Sequence, residues 1–275
     1  MDLVTAILAL AVTGIGVGIA SGLLGVGGCF IMVPVQYWVY TAMGFSQDIA
    51  MKVAFGTNLF VVLSTSMSGA LGHSRRGAVW WRAGIVLGIS GAIGAAIGAT
   101  IATGLPGETL KVIFGLVILA SGIRMLTAKP PKITQEPEDA PFLWAAWGFP
   151  LGIVAGLVGI GGGVLMIPVM VLALKFRMHQ AVGTSAALMI FTSSGGMIGY
   201  IINGLGAPGL PAYSIGYVNI ASWLALAATS VPMAQVGVRA AHKLPARALK
   251  YVFIAVMMYV GLKMSGVFGW LGLPV

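Results

Sequence analysis

Two glycine-rich motifs of the form GLxGxGG are the part of this sequence most able to bind a ligand. The first runs from Gly22 to Gly28 and the second from Gly156 to Gly162, followed by Gly163. Glycine disfavours a helix by roughly 1 kcal/mol per residue relative to alanine, so motifs this dense predict turns. The helices that follow would begin at Cys29 and Val164, with free backbone amides and partial positive charge at their N-termini. Such N-termini suit an anion.

Two further matching blocks supply polar side chains for the same site. They are Ala54 to Leu59 (AFGTNL) and Ala181 to Ala186 (AVGTSA). Their polar residues fall about eight residues into predicted helices, roughly 12 Å deep and close to the centre of a ~30 Å hydrocarbon core. The amide of Asn58 needs hydrogen-bond partners there, whereas the hydroxyls could equally bond to their own helix backbone. The predicted anion-binding residues are Gly25, Gly27, Gly28, Cys29, Thr57, Asn58, Gly159, Gly161, Gly162, Gly163, Thr184 and Ser185.

Close helix packing is the alternative explanation of the glycine motifs, because spacings such as Gly18 to Gly22 let transmembrane backbones approach each other. The motifs are not a dinucleotide fingerprint, since neither a strand nor a ribose-binding acid accompanies them. One cysteine and three scattered histidines provide no metal-ligand cluster, and no nucleophile is paired with a base. We therefore expect no enzyme activity, no metal and no cofactor.

The composition indicates that these residues are positioned inside a membrane. Of the 275 residues 59% are hydrophobic and only 8% are charged, whereas a soluble domain carries about 25% charged residues. The expected fold is an all-α polytopic membrane protein, because helices satisfy their backbone within hydrocarbon and the sequence lacks the alternation of a barrel. About ten transmembrane segments fit between Val4 and Leu271. The second, Cys29 to Gly44, and the seventh, Val164 to Leu174, are short and follow the glycine motifs.

The basic residues predict the orientation. If the N-terminus is outside and all ten segments cross, twelve of the 15 Lys and Arg residues fall inside and three fall outside. This bias predicts that both termini lie outside a plasma or bacterial inner membrane. The net positive charge is thus explained by orientation in the lipid bilayer, and it does not indicate nucleic acid as a partner. The polar stretch 129–141 is predicted to be a cytoplasmic linker between a first transmembrane repeat, 1–128, and a second, 142–275.

The two halves resemble each other. Gly18 to Val35 and Gly152 to Val169 agree at ten of eighteen positions with a constant offset of 134, which indicates a duplication. The connection after the first GTN block is basic, whereas the connection after the GTS block, 204–216, has no charge. Because corresponding connections then lie on opposite faces, we predict two inverted-topology five-helix repeats. Transporters built in this way bind substrate near the bilayer midplane between the repeats.

GLLGVGGCFIMVPV and GLVGIGGGVLMIPV, each followed by a GTN or GTS block, resemble the sulfite exporter TauE/SafE family, also called the toluene sulfonate uptake permease family. The resemblance covers essentially the whole chain. It implies a carrier of sulfur-containing anions such as sulfite, sulfonates or sulfoacetate, with a direction that differs among members. Cys29 departs from the second copy, which has Gly163 there, and its side chain could narrow one side of the site.

No Asp or Glu lies deep within a predicted span, so a carboxylate proton relay is not visible. An inside-negative potential of 100 mV is worth about 2.3 kcal/mol per negative charge that leaves, and this predicts uncoupled or weakly coupled export. An anion channel, or an importer of another small oxyanion or carboxylate, is the alternative. The sequence leaves open the anion, the direction, the coupling ion and whether the chain forms a homodimer.

Overall fold

The structure is a computed structural model that describes residues 1–24, 28–127, 139–240 and 246–267. Ten α-helices and one small β-hairpin form within these residues. The helices are α1 Leu3–Leu24, α2 Cys29–Ala42, α3 Gln47–Ser74, α4 Trp81–Thr103, α5 Gly107–Thr127, α6 Pro141–Leu157, α7 Gly163–Leu172, α8 Met178–Gly204, α9 Ile220–Ala240 and α10 Ala246–Met264. The hairpin pairs β1 Ser214–Ile215 with β2 Val218–Asn219, ahead of α9.

Six of these helices are long and apolar enough to cross a membrane, namely α1, α3, α4, α5, α8 and α9. The chain is therefore a multi-pass helical membrane protein, as its composition predicted. The other apolar helices are shorter, and α2 with 14 residues and α7 with 10 residues match the two segments predicted to be short. The count of ten crossings remains a prediction.

Helices α3 and α8 form the centre of the molecule. Every residue from Ala50 to Leu59 of α3 is buried, and so is every residue from Gly183 to Met189 of α8. Burial on all sides of a helix means that other helices surround it. The two blocks AFGTNL and AVGTSA thus lie in the interior, where polar side chains need partners.

Helices pack in two matching pairs, α1 against α9 and α6 against α4. A methyl group on Gly22 would lie 2.0 Å from the carbonyl oxygen of Ala234, and one on Gly156 would lie 2.1 Å from that of Ala95. Only glycine allows backbones to approach so closely. The packing explanation is therefore correct for the first glycine of each motif.

These contacts recur at constant spacing along the chain. A methyl group added to Gly18 would lie 2.4 Å from the carbonyl oxygen of Ser230, and one added to Gly152 would lie 2.2 Å from that of Gly91. The offset is again 134 residues between the glycines, and it is 139 residues between their partners on α4 and α9. The first helix of each half thus packs against the fourth helix of the other half.

Small residues along α4 pack against α8. A methyl group on Gly195 would lie 2.2 Å from the carbonyl oxygen of Ala92, and one on Gly88 would lie 2.6 Å from Phe191 Cδ2. Helix α4 therefore contacts α6 and α8 on different faces. Both contacts rely on small residues, since the hydrophobic effect gives little attraction between helices in lipid.

The predicted linker, 129–141, falls largely outside the described residues, which omit 128–138. Its end is described: Asp139 forms an ion pair with Arg82 at the start of α4. Helix α6 then begins at Pro141, a residue suited to the first turn because it lacks the N–H that would have no partner there. The division into two repeats at this point stays a prediction.

Candidate functional site

The second glycine motif forms a buried turn between α6 and α7. All residues from Val158 to Gly163 are buried. Gly159, Gly161 and Gly162 have φ angles of 63°, 69° and 98°, in the left-handed region that side chains disfavour. Helix α7 begins at Gly163, one residue before the predicted start at Val164, because Gly162 turns the chain directly into it.

Side chains from the two central helices hold this turn. Asn58 of α3 donates from Nδ2 to the carbonyl oxygen of Gly159 at 2.5 Å, and Thr192 of α8 donates from Oγ1 to that of Gly161 at 2.6 Å. The hydroxyl of Tyr200 donates to the carbonyl oxygen of Gly156 at 3.1 Å. The turn therefore lies between α3 and α8, and its carbonyl groups have partners from both.

This arrangement leaves backbone amides as the polar groups available at the start of α7. The first N–H groups of a helix have no carbonyl one turn earlier to bond with, and they carry partial positive charge. Two side-chain atoms beside the turn also lack hydrogen-bond partners among the described residues, Oδ1 of Asn58 and Oγ of Ser193. A methyl group on Gly161 would lie 2.7 Å from that Ser193 oxygen, so the hydroxyl is directly beside the turn.

The first glycine motif is described only at its end. Gly25 and Gly27, two of the predicted binding residues, lie outside the described residues. Gly28 has a φ angle of 63° and caps α2, which begins at Cys29 as predicted. The Cys29 side chain is fully buried at this first position of the helix. The contribution of Gly28 and Cys29 to binding stays a prediction.

The GTN block of α3 holds the start of α9. A methyl group on Gly56 would lie 2.3 Å from the carbonyl oxygen of Tyr217, so this glycine permits a close backbone approach. The neighbouring Thr57 accepts a hydrogen bond at Oγ1 from the backbone N–H of Asn219, at 2.9 Å. Asn219 directly precedes α9, and its own Oδ1 accepts from the backbone N–H of Ser222 in the first turn.

The GTS block of α8 makes the corresponding contacts with the start of α4. A methyl group on Gly183 would lie 2.4 Å from the carbonyl oxygen of Ala78, and Thr184 Oγ1 accepts from the N–H of Trp80 at 3.0 Å. The residues that follow the two threonines differ in their bonding. Ser185 donates to Val182 of its own helix, whereas Asn58 donates to the glycine turn. Both threonines thus have protein partners, and their role in binding an anion stays a prediction.

Replacing Thr57 or Thr184 by valine should lower the free energy of unfolding by about 1–2 kcal/mol in each case, because a buried backbone N–H loses its acceptor. The two losses should be similar, since the contacts correspond. Equilibrium unfolding of the purified protein in detergent measures both. Thr65→Val is the control: this hydroxyl is as buried but donates to Val61 of its own helix, so its loss should cost under about 0.5 kcal/mol. Equal losses in all three variants would contradict the assignment.

Charged groups near the interior are already paired. Lys52, a buried lysine of α3, forms a 2.8 Å ion pair with Asp48. Asp48 also accepts from the backbone N–H of Gly107 at 2.9 Å. Within the described residues no group of three or more His, Cys, Asp and Glu side chains could hold a metal ion. The polar side chains beside the glycine turn, Asn58, Thr192 and Ser193, carry no charge.

Sequence reasoning missed several of the residues that build this site. Thr192 donates to the turn and Tyr200 donates to Gly156 in the last turn of α6, and neither was predicted to belong to the site. Gln36, an amide inside an apolar segment, was also overlooked, although the same rule that singled out Asn58 applies to it. The other contacts depend on which helices meet, and one sequence carries no signal for that.

A family model described as sulfite exporter TauE/SafE matches residues 10–264. The chain is 29% identical to a probable membrane transporter protein of Methanocaldococcus jannaschii over 93% of this chain and 94% of that protein. It is 28% identical to one of Haemophilus influenzae, over 94% and 98%. It is 31% identical to the probable membrane transporter protein YunE of Bacillus subtilis, over 71% and 78%. No solved structure matches the chain.

The family match spans nine of the helices in full and part of α1, and with them the glycine turn and both GT blocks. The similar proteins are named as membrane transporters, which agrees with the apolar helices of the structure. The sequence-based resemblance is thereby confirmed, and the chain belongs to the sulfite exporter TauE/SafE family of membrane transporters.

Proposed function

We propose that this transporter exports small sulfur-containing anions, such as sulfite or organosulfonates, from a site beside the glycine turn of 158–163. The observation that carries the proposal is the bonding of that turn. Asn58 and Thr192 occupy the carbonyl oxygens of Gly159 and Gly161. The N–H groups of Leu165 and Met166 donate to Gly162, whereas those of Gly163 and Val164, at the start of α7, have no partner within the described residues and remain for a ligand. A cation would need the carbonyl oxygens, whereas an oxyanion needs N–H and O–H donors.

The surrounding charges favour an anion as well. The acidic side chain nearest to the buried part of α3, Asp48, is neutralised by Lys52 and bonded to Gly107. Glu108, the other acidic residue of the described helices, lies in the first turn of α5, so no carboxylate lies deep within a described span. A site made of neutral donors binds an anion weakly enough for release, which a carrier requires.

We further propose that the site operates by alternating access between two inverted repeats. The support is the set of corresponding contacts: α1 on α9 and α6 on α4, and each GT block on the start of the fourth helix of the opposite half. Such exchange makes each half incomplete without the other, so the halves can rock against each other without separating. Transporters of this kind keep the substrate between the repeats.

The proposed orientation places both termini outside. Hydrogen bonds between the segments that connect the helices indicate which of these segments lie on the same face. The N-terminal ammonium donates to the carbonyl oxygen of Ala42 at 2.8 Å, and Asp48 contacts Gly107, so these connections share one face. Arg76 donates to the carbonyl oxygen of Val238 at 2.6 Å on the other face. The positive-inside rule assigns the face with Arg76 to the cytoplasm.

Cysteine labelling tests this orientation. The only cysteine, Cys29, is first replaced by serine, and single cysteines are then placed at the exposed positions Arg75 and Ala212. On intact cells a membrane-impermeant maleimide should label Ala212→Cys and leave Arg75→Cys unlabelled. Permeabilised cells provide the control, since both variants should then react. Labelling of Arg75→Cys on intact cells would contradict the proposed orientation and indicate the opposite one.

Reconstitution into proteoliposomes tests the function. Vesicles loaded with sulfite, and protein-free vesicles as the control, are given a membrane potential that is negative on the sulfite side. We expect saturable efflux that the potential accelerates, since about 2.3 kcal/mol per charge is available at 100 mV. Thiosulfate, an organosulfonate and a carboxylate compete in turn to define the substrate class.

The outcomes separate the parts of the proposal. Efflux that ignores the potential but follows a proton gradient would overturn uncoupled export. Conductance without saturation would indicate a channel. Carriage of carboxylates without any of the sulfur anions would overturn the substrate class while leaving a carrier.

A further inference from the structure

A second buried amide lies in α2, away from the contacts described so far. Gln36 is completely buried, yet among the described residues neither Nε2 nor Oε1 has a hydrogen-bond partner. Buried side-chain amides nearly always have partners, because burial without them forfeits the hydrogen bonds made with water. A buried amide without hydrogen-bond partners lowers the stability of the fold, so the presence of Gln36 here is better explained by a function.

Two features of α2 lie on either side of Gln36 along the helix. Gln36 lies on the buried face of α2, seven residues after Cys29 and four before Tyr40. That spacing places it about 10 Å along the helix from the N-terminus and about 6 Å from Tyr40. The Tyr40 hydroxyl donates to Ser222 Oγ at 2.8 Å, at the start of α9. Gln36 thus lies between the glycine-capped start of α2 and a polar pair near its far end.

The other half of the chain shows that an amide is not needed here for packing. The residue 134 positions later is Met170 of α7, which is also completely buried. Methionine has nearly the length of glutamine and no hydrogen-bond donor. Two corresponding half-length helices therefore bury side chains of similar size, of which only one can bind an oxyanion.

We infer that Gln36 contacts the transported anion, donating from its Nε2 amide to an anion oxygen between the outer face and the glycine turn. The inference rests on the proposed function and adds a specificity-determining residue from the first half. An amide donates two N–H groups without carrying a charge, so it holds an oxyanion that can still leave.

Gln36→Met tests the inference, because it installs the side chain that α7 carries at the corresponding position. Gln36→Leu is the second variant, and Met32→Leu, one turn earlier on the same buried face, is the control for packing. For each purified protein in detergent, the Tm without anion and the sulfite-dependent rise in Tm are measured. Sulfite flux in proteoliposomes is measured alongside.

We expect Gln36→Met to melt no lower than the wild type without anion, and to bind sulfite at least about tenfold more weakly, as loss of one hydrogen bond to an anion implies. Met32→Leu should change neither. Unchanged sulfite affinity in both Gln36 variants, or a lower Tm in both, would overturn the inference, since the second result means that the amide has a structural partner. A wild type that binds and moves none of the sulfur anions would overturn the proposed function, and the inference with it.

Discussion

Replacing Gly159 by alanine should lower the free energy of unfolding by about 3 kcal/mol and abolish measurable transport. The added methyl group would lie 2.7 Å from Phe55 Cβ and 2.8 Å from its Cα, so it meets the backbone of α3. Phe55 cannot yield easily, because its ring packs against Phe114 and Tyr200 with centroids 5.9 Å and 6.4 Å away. The turn must move instead, which breaks the bond between Asn58 and the Gly159 carbonyl.

Gly162→Ala is the matched control for this variant. Gly162 belongs to the same turn and also has a positive φ angle, so alanine there has a similar backbone cost of about 1–2 kcal/mol. Its methyl group, however, would lie 3.5 Å from the nearest atom, Ala155 Cβ, which is ordinary contact. Unfolding in detergent and sulfite efflux from proteoliposomes compare the two variants. If Gly162→Ala loses as much as Gly159→Ala, the contact with α3 is not what makes the turn sensitive.

The sequence predicted those parts of the structure that depend on local chemistry. Glycine density located the buried turn and the start of α2 at Cys29, because each follows from backbone preferences within a few residues. Apolar segment lengths identified α2 and α7 as short helices for the same reason. Repetition at a constant offset indicated which segments correspond, and the packing of α1 and α6 follows that correspondence.

The partners of Thr57, Asn58 and Thr184 could not be predicted, because they lie in the opposite half of the chain. Thr57 and Asn219 are 162 residues apart, and Asn58 and Gly159 are 101 apart. Which of them meet depends on how ten helices assemble. The sequence therefore predicted Thr57, Asn58, Thr184 and Ser185 as donors to one anion and set Asn58 apart only as an amide that needs partners, whereas the structure shows the partner of each. The threonines bond to helix starts, the serine to its own helix and the asparagine to the glycine turn.

That distinction makes Asn58 the side chain of the GTN block with the closest connection to the proposed site. Its Nδ2 donates a hydrogen bond to the Gly159 carbonyl oxygen, and its Oδ1 has no partner within the described residues. A carboxylate in its place would present oxygen atoms both to that carbonyl and to an incoming anion. Two like unit charges about 5 Å apart repel by about 3 kcal/mol at an effective dielectric constant of 20, or roughly a hundredfold in binding.

Asn58→Asp should therefore reduce sulfite transport at least about a hundredfold, whereas Asn58→Leu, which loses the hydrogen bond but adds no charge, should reduce it about tenfold. The aspartate variant should also be the less stable of the two, because an unpaired buried charge costs about 3–5 kcal/mol. Ser185→Ala is the control, since Ser185 occupies the corresponding position but donates to its own helix. Initial rates of efflux at equal amounts of folded protein measure all three. Equal rates for the aspartate and leucine variants would mean that the anion does not pass near Asn58, and the site would have to lie elsewhere than beside the turn.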